Sequence, residues 1–274
     1  MITNQPFFSI CIPVYNGAKT LRETICSVLD QDFSNFEVCV VDNASTDSTP
    51  TILSEFTDSR LRVRRNPQLV PPHENWSLAI EMATGKWTKL ICADDVLRPH
   101  ALTKIAEQIK HHLGVQIICG SRDVIDEHGR QVRGLRRVAR SGEIMNTQEF
   151  RRRILRVGSN PIGEGVCWTW DTTLTQRVGR FSSRWEYFID LDYWLRLSVL
   201  SQVLLSNDHI GSFRISTSSW TSSLGTKAIS ESLSFFWTHE IMSNQKCLLK
   251  ARGSLMAILR GLARALFLRR KLAS

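Results

Sequence analysis

Two strongly apolar runs of this chain are each followed by carboxylates, which are the side chains best suited to chemistry. Asp42 follows the run Glu37–Val41, and the adjacent pair Asp94 and Asp95 follows Trp87–Cys92. Adjacent carboxylates repel one another unless a cation lies between them. A hard divalent ion such as Mg²⁺ or Mn²⁺, held by a carboxylate together with substrate phosphates, would relieve this repulsion. The alternative is that these acids only cap the turns in which they lie.

A second pair of acids, Asp190 and Asp192, stands at the start of the apolar run Leu191–Leu200, whose residue pattern predicts a helix. A carboxylate at a partly desolvated helix N-terminus is subject to two opposed effects. Burial raises its pKa, whereas the helix dipole lowers it. N-capping is the alternative for both acids. Arg196, four residues after Asp192, is placed to pair with it on the helix face.

These acids need a scaffold, and the first 120 residues supply one by alternating apolar strand-like runs with helical patterns. The order predicts a parallel, doubly wound sheet with right-handed crossovers. Ligands bind beyond the carboxyl ends of the strands in such sheets, so the acids that follow the strands should share one edge. The predicted strands are Phe8–Val14, Glu37–Val41, Leu61–Arg64, Trp87–Cys92 and Val115–Cys119.

Several common site patterns are absent from the sequence. After the first predicted strand only Gly17 is present, without a GxGxxG pattern, and the chain has no P-loop. It also lacks HExxH, GxSxG and the Cys/His spacings of zinc sites. Hydride transfer on a dinucleotide and serine hydrolysis are therefore disfavoured.

The cysteines and the N-terminus predict a cytoplasmic protein. The seven cysteines are odd in number, scattered and mostly inside apolar runs, which indicates small, buried, reduced side chains. The first residues lack the basic and apolar regions of a signal peptide. No run reaches the roughly 18 uninterrupted apolar residues of a spanning helix.

Three ordered segments resemble the family 2 glycosyltransferases of the GT-A fold. They are Ser9–Gly17, Val40–Asp47 and Ala93–Leu102, and the stretches Asn75–Trp76 and Ala83–Trp87 resemble the family's sequence ahead of the acidic pair. The resemblance covers about residues 7–220. It implies a mostly parallel, doubly wound α/β sheet whose first half is a Rossmann-like nucleotide-binding unit.

The resemblance also implies a division of the chain. We expect a GT-A domain over residues 1–225, in which residues 1–120 bind the nucleotide-sugar and residues 121–225 bind the acceptor. Residues 226–274 are expected to form a basic, amphipathic helical extension.

Site roles follow from the resemblance position by position. Asp42 would hydrogen-bond the nucleotide base, and the acidic pair would hold the ribose and the divalent cation. The family often has another acid where this chain has Cys92, so metal binding would rest mainly on Asp95. The positions assigned to nucleotide-sugar binding are Pro13, Tyr15, Asn16, Asp42, Asn75, Asp94 and Arg214.

The run Phe188–Leu197 resembles the helix that carries the family's catalytic base, and Asp190 stands at the position of that base. Ile189 replaces the usual Glu beside it. Further on, Ser216 stands where the family often has a His after the arginine at 214. The loop that follows is interpreted as a mobile lid. Asp192 and Trp220 are assigned to acceptor binding or to a structural role.

The implied reaction is transfer of a sugar from a UDP-, GDP- or dTDP-linked donor to an acceptor hydroxyl, with inversion. Asp190 would act as general base, and Mg²⁺ or Mn²⁺ would stabilise the leaving diphosphate. Bacterial cell-surface polysaccharide synthesis is the expected setting. A sugar-phosphate nucleotidyltransferase is one alternative, although its Gly-rich N-terminal loop is missing. A non-catalytic basic protein that binds membrane or nucleic acid is the other.

The net charge of +9 distinguishes among the partners. The 274 residues are 42% hydrophobic, which excludes a disordered chain. Residues 246–274 contain eight Lys and Arg and no acid, leaving 27 bases against 26 acids elsewhere. Nucleic acid is therefore not expected as a partner. The basic, apolar tail predicts peripheral contact with the cytoplasmic face of a membrane and suits a lipid-linked acceptor. The alternative is a helix packed on the domain.

Overall fold

The computed structural model describes residues 5–138, 142–216, 227–239, 242 and 247–272, with side chains described as far as residue 259. The Trp220 position lies outside the described residues. Within them, the strands are β1 (Phe8–Val14), β2 (Phe36–Asp42), β3 (Leu61–Arg65), β4 (Trp87–Leu90), β5 (Val96–Leu97), β6 (Ile117–Ile125), β7 (Gln131–Arg136), β8 (Glu143–Met145), β9 (Trp168–Asp171) and β10 (Val203–Arg214).

Helices separate most of these strands. In the same part of the chain they are α1 (Leu21–Leu29), α2 (Thr49–Ser54), α3 (Pro72–Glu81), α4 (Ala101–His111), α5 (Thr147–Val157), α6 (Thr173–Val178), α7 (Ile189–Leu200), α8 (Lys227–Thr238) and α9 (Cys247–Leu272). A single 3₁₀ turn at Gly165–Cys167 precedes β9.

All ten described strands belong to one sheet, whose main path runs β3-β2-β1-β4-β9-β6-β10-β5. The β1–β2, β1–β4, β2–β3 and β6–β10 pairs are parallel. β1 and β2 are buried at every position, as expected for parallel strands covered on both faces. The predicted parallel, doubly wound order is therefore confirmed over the first half of the chain.

One strand departs from the predicted order. β9 lies between β4 and β6 and is antiparallel to both, pairing Thr88 with Trp170 and Ile118 with Thr169. β4 and β6 are consequently parallel to one another but are not paired, because β9 lies between them. Because β9 comes from the second half of the chain, both halves contribute to the centre of the sheet.

The C-terminal extension, expected to be helical over residues 226–274, contains two helices in the part that the structure describes. α8 ends at Thr238, and α9 begins at Cys247. α9 packs against α5 and α8. Two glycines allow the close approach to α5: a Cβ on Gly253 would lie 3.1 Å from the Leu155 side chain, and one on Gly158 would lie 2.5 Å from the Ala257 nitrogen. The described part of α9 is thus packed on the domain.

Among the described residues, none of the helices is long and apolar enough to cross a membrane.

Candidate active site

The loops that follow β1 and β2 are joined by hydrogen bonds at the carboxyl edge of the sheet. The Asn16 N–H donates to Ser45 Oγ at 2.9 Å, and Asn16 Oδ1 accepts from the Thr46 N–H at 2.8 Å. Asn16 has a positive φ of 50°, a conformation that asparagine tolerates better than most residues. Tyr15 beside it is 48% exposed, whereas Pro13 is buried within β1. The nucleotide-binding role of these three residues stays a prediction.

Asp42 ends β2 and is buried. Arg65 Nη1 donates to its Oδ2 at 2.6 Å, and the Ser45 N–H donates to its Oδ1 at 3.0 Å. Arg65 itself is half exposed. The carboxylate is therefore held in place from the side of β3, and its contact with a nucleotide base stays a prediction.

Asn75 lies in a buried amide network beneath this edge. Its Oδ1 accepts from Asn66 Nδ2 at 3.0 Å, and the same nitrogen reaches Asn43 Oδ1 at 3.0 Å. The side chain of Asn75 is 3% exposed. The observed contacts support the loops around the edge, and donor binding by Asn75 is untested.

The acidic pair forms a compact cluster with a thiol. One ligand atom each from Cys92, Asp94 and Asp95 lies within 4.8 Å of the others. Asp95 is fully buried, and its Oδ1 accepts from the Arg214 N–H at 3.0 Å. Its Oδ2 is also buried and has no hydrogen-bond partner among the described residues. Burial and the neighbouring charge of Asp94 raise the pKa of Asp95 well above its usual value.

Arg214 holds the backbone around this cluster. Its Nε donates to the Asp94 carbonyl at 2.7 Å, Nη1 to the Asp126 carbonyl at 3.0 Å and Nη2 to the Glu23 carboxylate at 2.5 Å. The Arg214 side chain is 2% exposed and is therefore part of the interior. Contact between Arg214 and a diphosphate stays a prediction.

Asp190 lies in the first turn of α7 and is close to the same cluster. Burial and the charge of Glu164 raise the pKa of Asp190 to about 7. Asn160 Nδ2 donates to its Oδ2 at 3.3 Å. Burial raises the pKa of Cys92. The neighbouring charges of Asp95, Asp94, Asp190 and Glu164 raise it further. The acids in the loop after β4 and the acid in the first turn of α7 thus lie near the same thiol.

Two further charged side chains near the cluster were not predicted. Glu164 forms an ion pair with the buried Arg122, whose Nη2 donates to Oε1 at 3.0 Å. Glu164 lies in the loop at residues 158–165, which contains no recognisable motif. The only sign of a functional residue there was a single Glu in a loop rich in Gly and Pro. Lys89 is fully buried in β4 and donates to the Val166 carbonyl at 2.5 Å. Burial lowers its pKa to about 8.

This arrangement matches a known family. The sequence profile described as "Glycosyl transferase family 2" matches residues 9–179, which is more than half of the chain. The chain belongs to glycosyl transferase family 2. The match extends from β1, past the acidic cluster, to the end of α6, and α7 with Asp190 is the next helix along the chain.

Curated relatives of this family 2 chain are similar over part of their length. The uncharacterized protein MT1568 of Mycobacterium tuberculosis is 26% identical over 73% of this chain and 64% of its own. The succinoglycan biosynthesis protein ExoO of Rhizobium meliloti is 31% identical over 48% of this chain and 38% of its own. The chain therefore spans less than two thirds of the length of these two relatives.

Solved structures have the same architecture. S. aureus TarS 1-349 in complex with UDP-GlcNAc is similar with a TM-score of 0.70 and 19% identity, over 93% of this chain and 72% of that one. At this identity the likeness establishes the fold. The predicted α/β sheet of the GT-A type with C-terminal helices is thus confirmed.

The cation that family 2 enzymes use has suitable ligands in this chain. Two carboxyl groups and a thiol meet in the cluster, and Asp95 Oδ2 is a buried oxygen that lacks a partner among the described residues. An unpaired buried carboxylate oxygen is unfavourable unless a cation or proton satisfies it. The residues therefore fit a divalent ion.

Asp192 has a different environment from Asp190. Arg196 Nε donates to its Oδ2 at 2.9 Å, which confirms the pairing predicted from their spacing. His239 Nε2 lies 3.0 Å from its Oδ1. Burial alone would raise the pKa of Asp192, but these two partners lower it. The contacts of Asp192 are those of a structural residue.

Proposed function

We propose that this chain transfers a sugar from a nucleotide-diphosphate sugar to an acceptor hydroxyl with inversion at the anomeric carbon. The observation that carries the proposal is the placement of Asp190, whose pKa is about 7, beside the cluster of Cys92, Asp94 and Asp95. One site would then combine a base close to neutral pH with a place for the leaving diphosphate.

Asp190 would accept the proton of the attacking hydroxyl. A carboxylate with a pKa near the working pH is an effective general base, because it is ionised and still basic enough to take the proton. Asn160, which donates to Asp190 Oδ2, would orient the carboxylate. A single displacement by the activated hydroxyl inverts the anomeric centre.

The donor would lie across the carboxyl edge of the sheet. Pro13, Tyr15 and Asn16 would line the base and ribose pocket, Asp42 would contact the base, and Asp94 the ribose. Asp95 would be the main ligand of Mg²⁺ or Mn²⁺, which when bound would neutralise charge on the diphosphate. The remaining donor-site candidates are Asn75 and Arg214. Trp220 is the candidate for acceptor binding, and Asp192 is assigned the structural role.

Three donor classes are proposed, with UDP-sugars first. The TarS structure, similar in fold, contains UDP-GlcNAc, which supports a uridine donor. GDP- and dTDP-sugars are the other candidates. The acceptor would be a saccharide of bacterial cell-surface polysaccharide synthesis, since a curated relative is named for succinoglycan biosynthesis. A lipid-linked form of that acceptor would agree with membrane contact by α9.

Incubation of the chain with UDP-, GDP- and dTDP-sugars and saccharide acceptors tests the proposal. Release of nucleoside diphosphate with sugar transfer is expected, and Asp190→Asn should abolish transfer while donor binding persists. Asp30→Asn, at an exposed aspartate after α1, is the matched control. In a parallel incubation, release of pyrophosphate from a nucleoside triphosphate and a sugar 1-phosphate would indicate a nucleotidyltransferase instead. Near-normal transfer by Asp190→Asn would remove Asp190 from the mechanism.

We also propose that residues 226–274 form an extension on a domain of residues 1–225, and that this extension docks on the cytoplasmic face of a membrane. The described part of α9 exposes Leu248, Leu255 and Leu259, which recur at helical spacing along one face. The eight bases of residues 246–274 would attract anionic lipid.

Sedimentation with vesicles of anionic and of neutral lipid tests the docking. The triple substitution of Leu248, Leu255 and Leu259 by Gln should abolish sedimentation with anionic vesicles and leave sugar transfer to a soluble acceptor unchanged. It avoids Gly253 and Ala257, which pack against α5. Unchanged sedimentation of the triple variant would contradict this role of α9.

A further inference from the structure

Cys92 lies just after β4 and differs from the cysteines that are buried in the sheet or beside it. Cys11, Cys39, Cys119 and Cys167 are buried, as the sequence predicts for small apolar side chains. Cys92 is only partly buried, and the charged side chains around it are carboxylates. A thiol placed only for packing would not need to lie among acids.

The geometry of the cluster suits one cation bound by sulfur and oxygen together. Ligand atoms on a tetrahedral, zinc-like ion lie about 2.0–2.3 Å from it, so two of them are separated by roughly 3.3–3.8 Å. The ligand atoms of Cys92, Asp94 and Asp95 lie within 4.8 Å of one another, which small side-chain shifts would bring onto one ion.

A second observation points independently to a bound cation. Asp95 is fully buried, and its Oδ2 has no hydrogen-bond partner among the described residues, although its Oδ1 accepts from the backbone of Arg214. The nearby buried cation Lys89 donates to the Val166 carbonyl. Asp95 Oδ2 therefore retains a coordination position.

We propose that Cys92 is a metal ligand, whose thiol releases its proton to solvent as the ion binds, and that the resulting thiolate makes this site select divalent transition ions, such as Co²⁺ and Zn²⁺, over Mg²⁺. Mg²⁺ prefers oxygen ligands in near-ideal octahedral geometry, whereas thiolate favours the softer, later ions. The inference rests on the proposed function and deepens it: of the cations proposed above it disfavours Mg²⁺, and it names transition ions as the class that the same site takes.

Titration of the metal-free chain with Co²⁺ tests the inference by absorption, which reports a thiolate–cobalt charge-transfer band without any turnover. All proteins carry Cys247→Ser, because that thiol is exposed. One equivalent of Co²⁺ should produce the band, and Cys92→Ser should abolish it. Cys26→Ser, at another partly buried cysteine, should retain it. Circular dichroism checks that every variant is folded.

A second variant tests the choice of ion. Cys92→Asp gives an all-oxygen ligand set and should shift the ratio of Mg²⁺ to Co²⁺ affinity, measured by calorimetry, at least tenfold towards Mg²⁺. A band that persists in Cys92→Ser, no band in the parent, or an unchanged ratio in Cys92→Asp would overturn the inference.

The outcome can be separated from that of the proposed function. Equal sugar transfer with Mg²⁺ and Co²⁺, unaffected by Cys92→Ser, would overturn the thiolate ligand and leave the glycosyltransferase proposal standing. A cobalt band without transfer from any donor would support the metal site and contradict the proposed function.

Discussion

His239 Nε2 lies 3.0 Å from Asp192 Oδ1, and this contact ties the residue after α8 to the helix that carries Asp190. A second tie lies at the other end of α8. The Glu231 carboxylate accepts the backbone N–H groups of Glu186, Tyr187 and Phe188 at 3.0, 2.7 and 3.0 Å. α8 thereby fixes the chain just before α7, so a segment remote in sequence positions the proposed base.

The Glu231 contact gives the first prediction. Glu231→Ala removes the acceptor of three N–H groups and should lower the free energy of unfolding by about 2–3 kcal/mol, because hydrogen bonds to a charged group are among the stronger ones. Transfer should fall through kcat, with little change in the KM of the donor. Lys227→Ala, which breaks an exposed ion pair with Glu186, is the control and should change little. Equal urea midpoints for the two variants would contradict a positioning role for Glu231.

The pKa of Asp190 gives a prediction on stability. Its folded-state value of about 7 exceeds the roughly 3.9 expected in the unfolded chain, so folding favours the protonated form. The native state therefore loses stability as the pH rises towards 7, and Asp190→Asn escapes this loss. Without added metal, the variant should gain on the order of 2–4 kcal/mol relative to the wild type between pH 4 and pH 8.

Urea unfolding at both pH values measures this difference, and Asp30→Asn is the control. A difference between Asp190→Asn and the wild type that does not change with pH would show that Asp190 is not destabilised by its charge. Ionisation of Asp190 also affects catalysis. Because the base must be ionised, the rate of sugar transfer by the wild type should rise with pH through about 7.

Arg214 is expected to be essential for the shape of the acidic loop. Arg214→Ala leaves the carbonyls of Asp94 and Asp126 without their donor and should lower the free energy of unfolding by about 2–4 kcal/mol. Glu23→Gln affects only the partly exposed end of the same network, and about 0.5 kcal/mol is expected. Urea unfolding measures both changes. If the two variants lost the same free energy of unfolding, the stabilisation would come from the ion pair with Glu23 and not from the contacts with the two carbonyls.

The packing of α9 on α5 gives a prediction about glycine. Gly158 has a φ of +68°, and an added Cβ would lie 2.5 Å from the backbone nitrogen of Ala257. Gly158→Ala should lower the free energy of unfolding by about 3 kcal/mol through strain and overpacking. Gly114 also has a positive φ, of +91°, but open space around it, so Gly114→Ala should cost only about 1 kcal/mol. Thermal and urea unfolding measure the stability of both variants. An equal decrease in the free energy of unfolding would mean that α9 is not packed closely against Gly158.

Local patterns were sufficient to predict much of the fold. The strand Phe8–Val14 has the predicted bounds, because a strand buried on both faces is a continuous apolar run. The helix predicted at Leu191–Leu200 begins only two residues earlier, at Ile189. The carboxyl-edge location of Asp42 and Asp95 follows from the parallel order of the strands that precede them.

The features that were missed depend on contacts between distant parts of the chain. β9 is four residues long, and its place in the sheet is set by partners in β4 and β6. Arg214 is buried, and its side chain donates to three acceptors that lie 88–191 residues away in sequence. The residues next to Arg214 in the sequence could not predict these contacts. α5 was also missed, although the spacing of Asn146 and Glu149, which form a capping box, is a sequence signal for the start of a helix.

The insertion of β9 has a mechanical consequence. Many enzymes enclose their substrates by rotating two lobes about a seam, and such a seam needs a line across which few hydrogen bonds pass. β9 is hydrogen-bonded along both edges, so no such line separates β4 from β6. The sheet is therefore continuous from β4 to β6, and in the proposed enzyme any closure over a substrate would come from segments outside the sheet. Exchange of those segments would then alter the substrates of the proposed transfer and leave unchanged the strands that support Asp94 and Asp95.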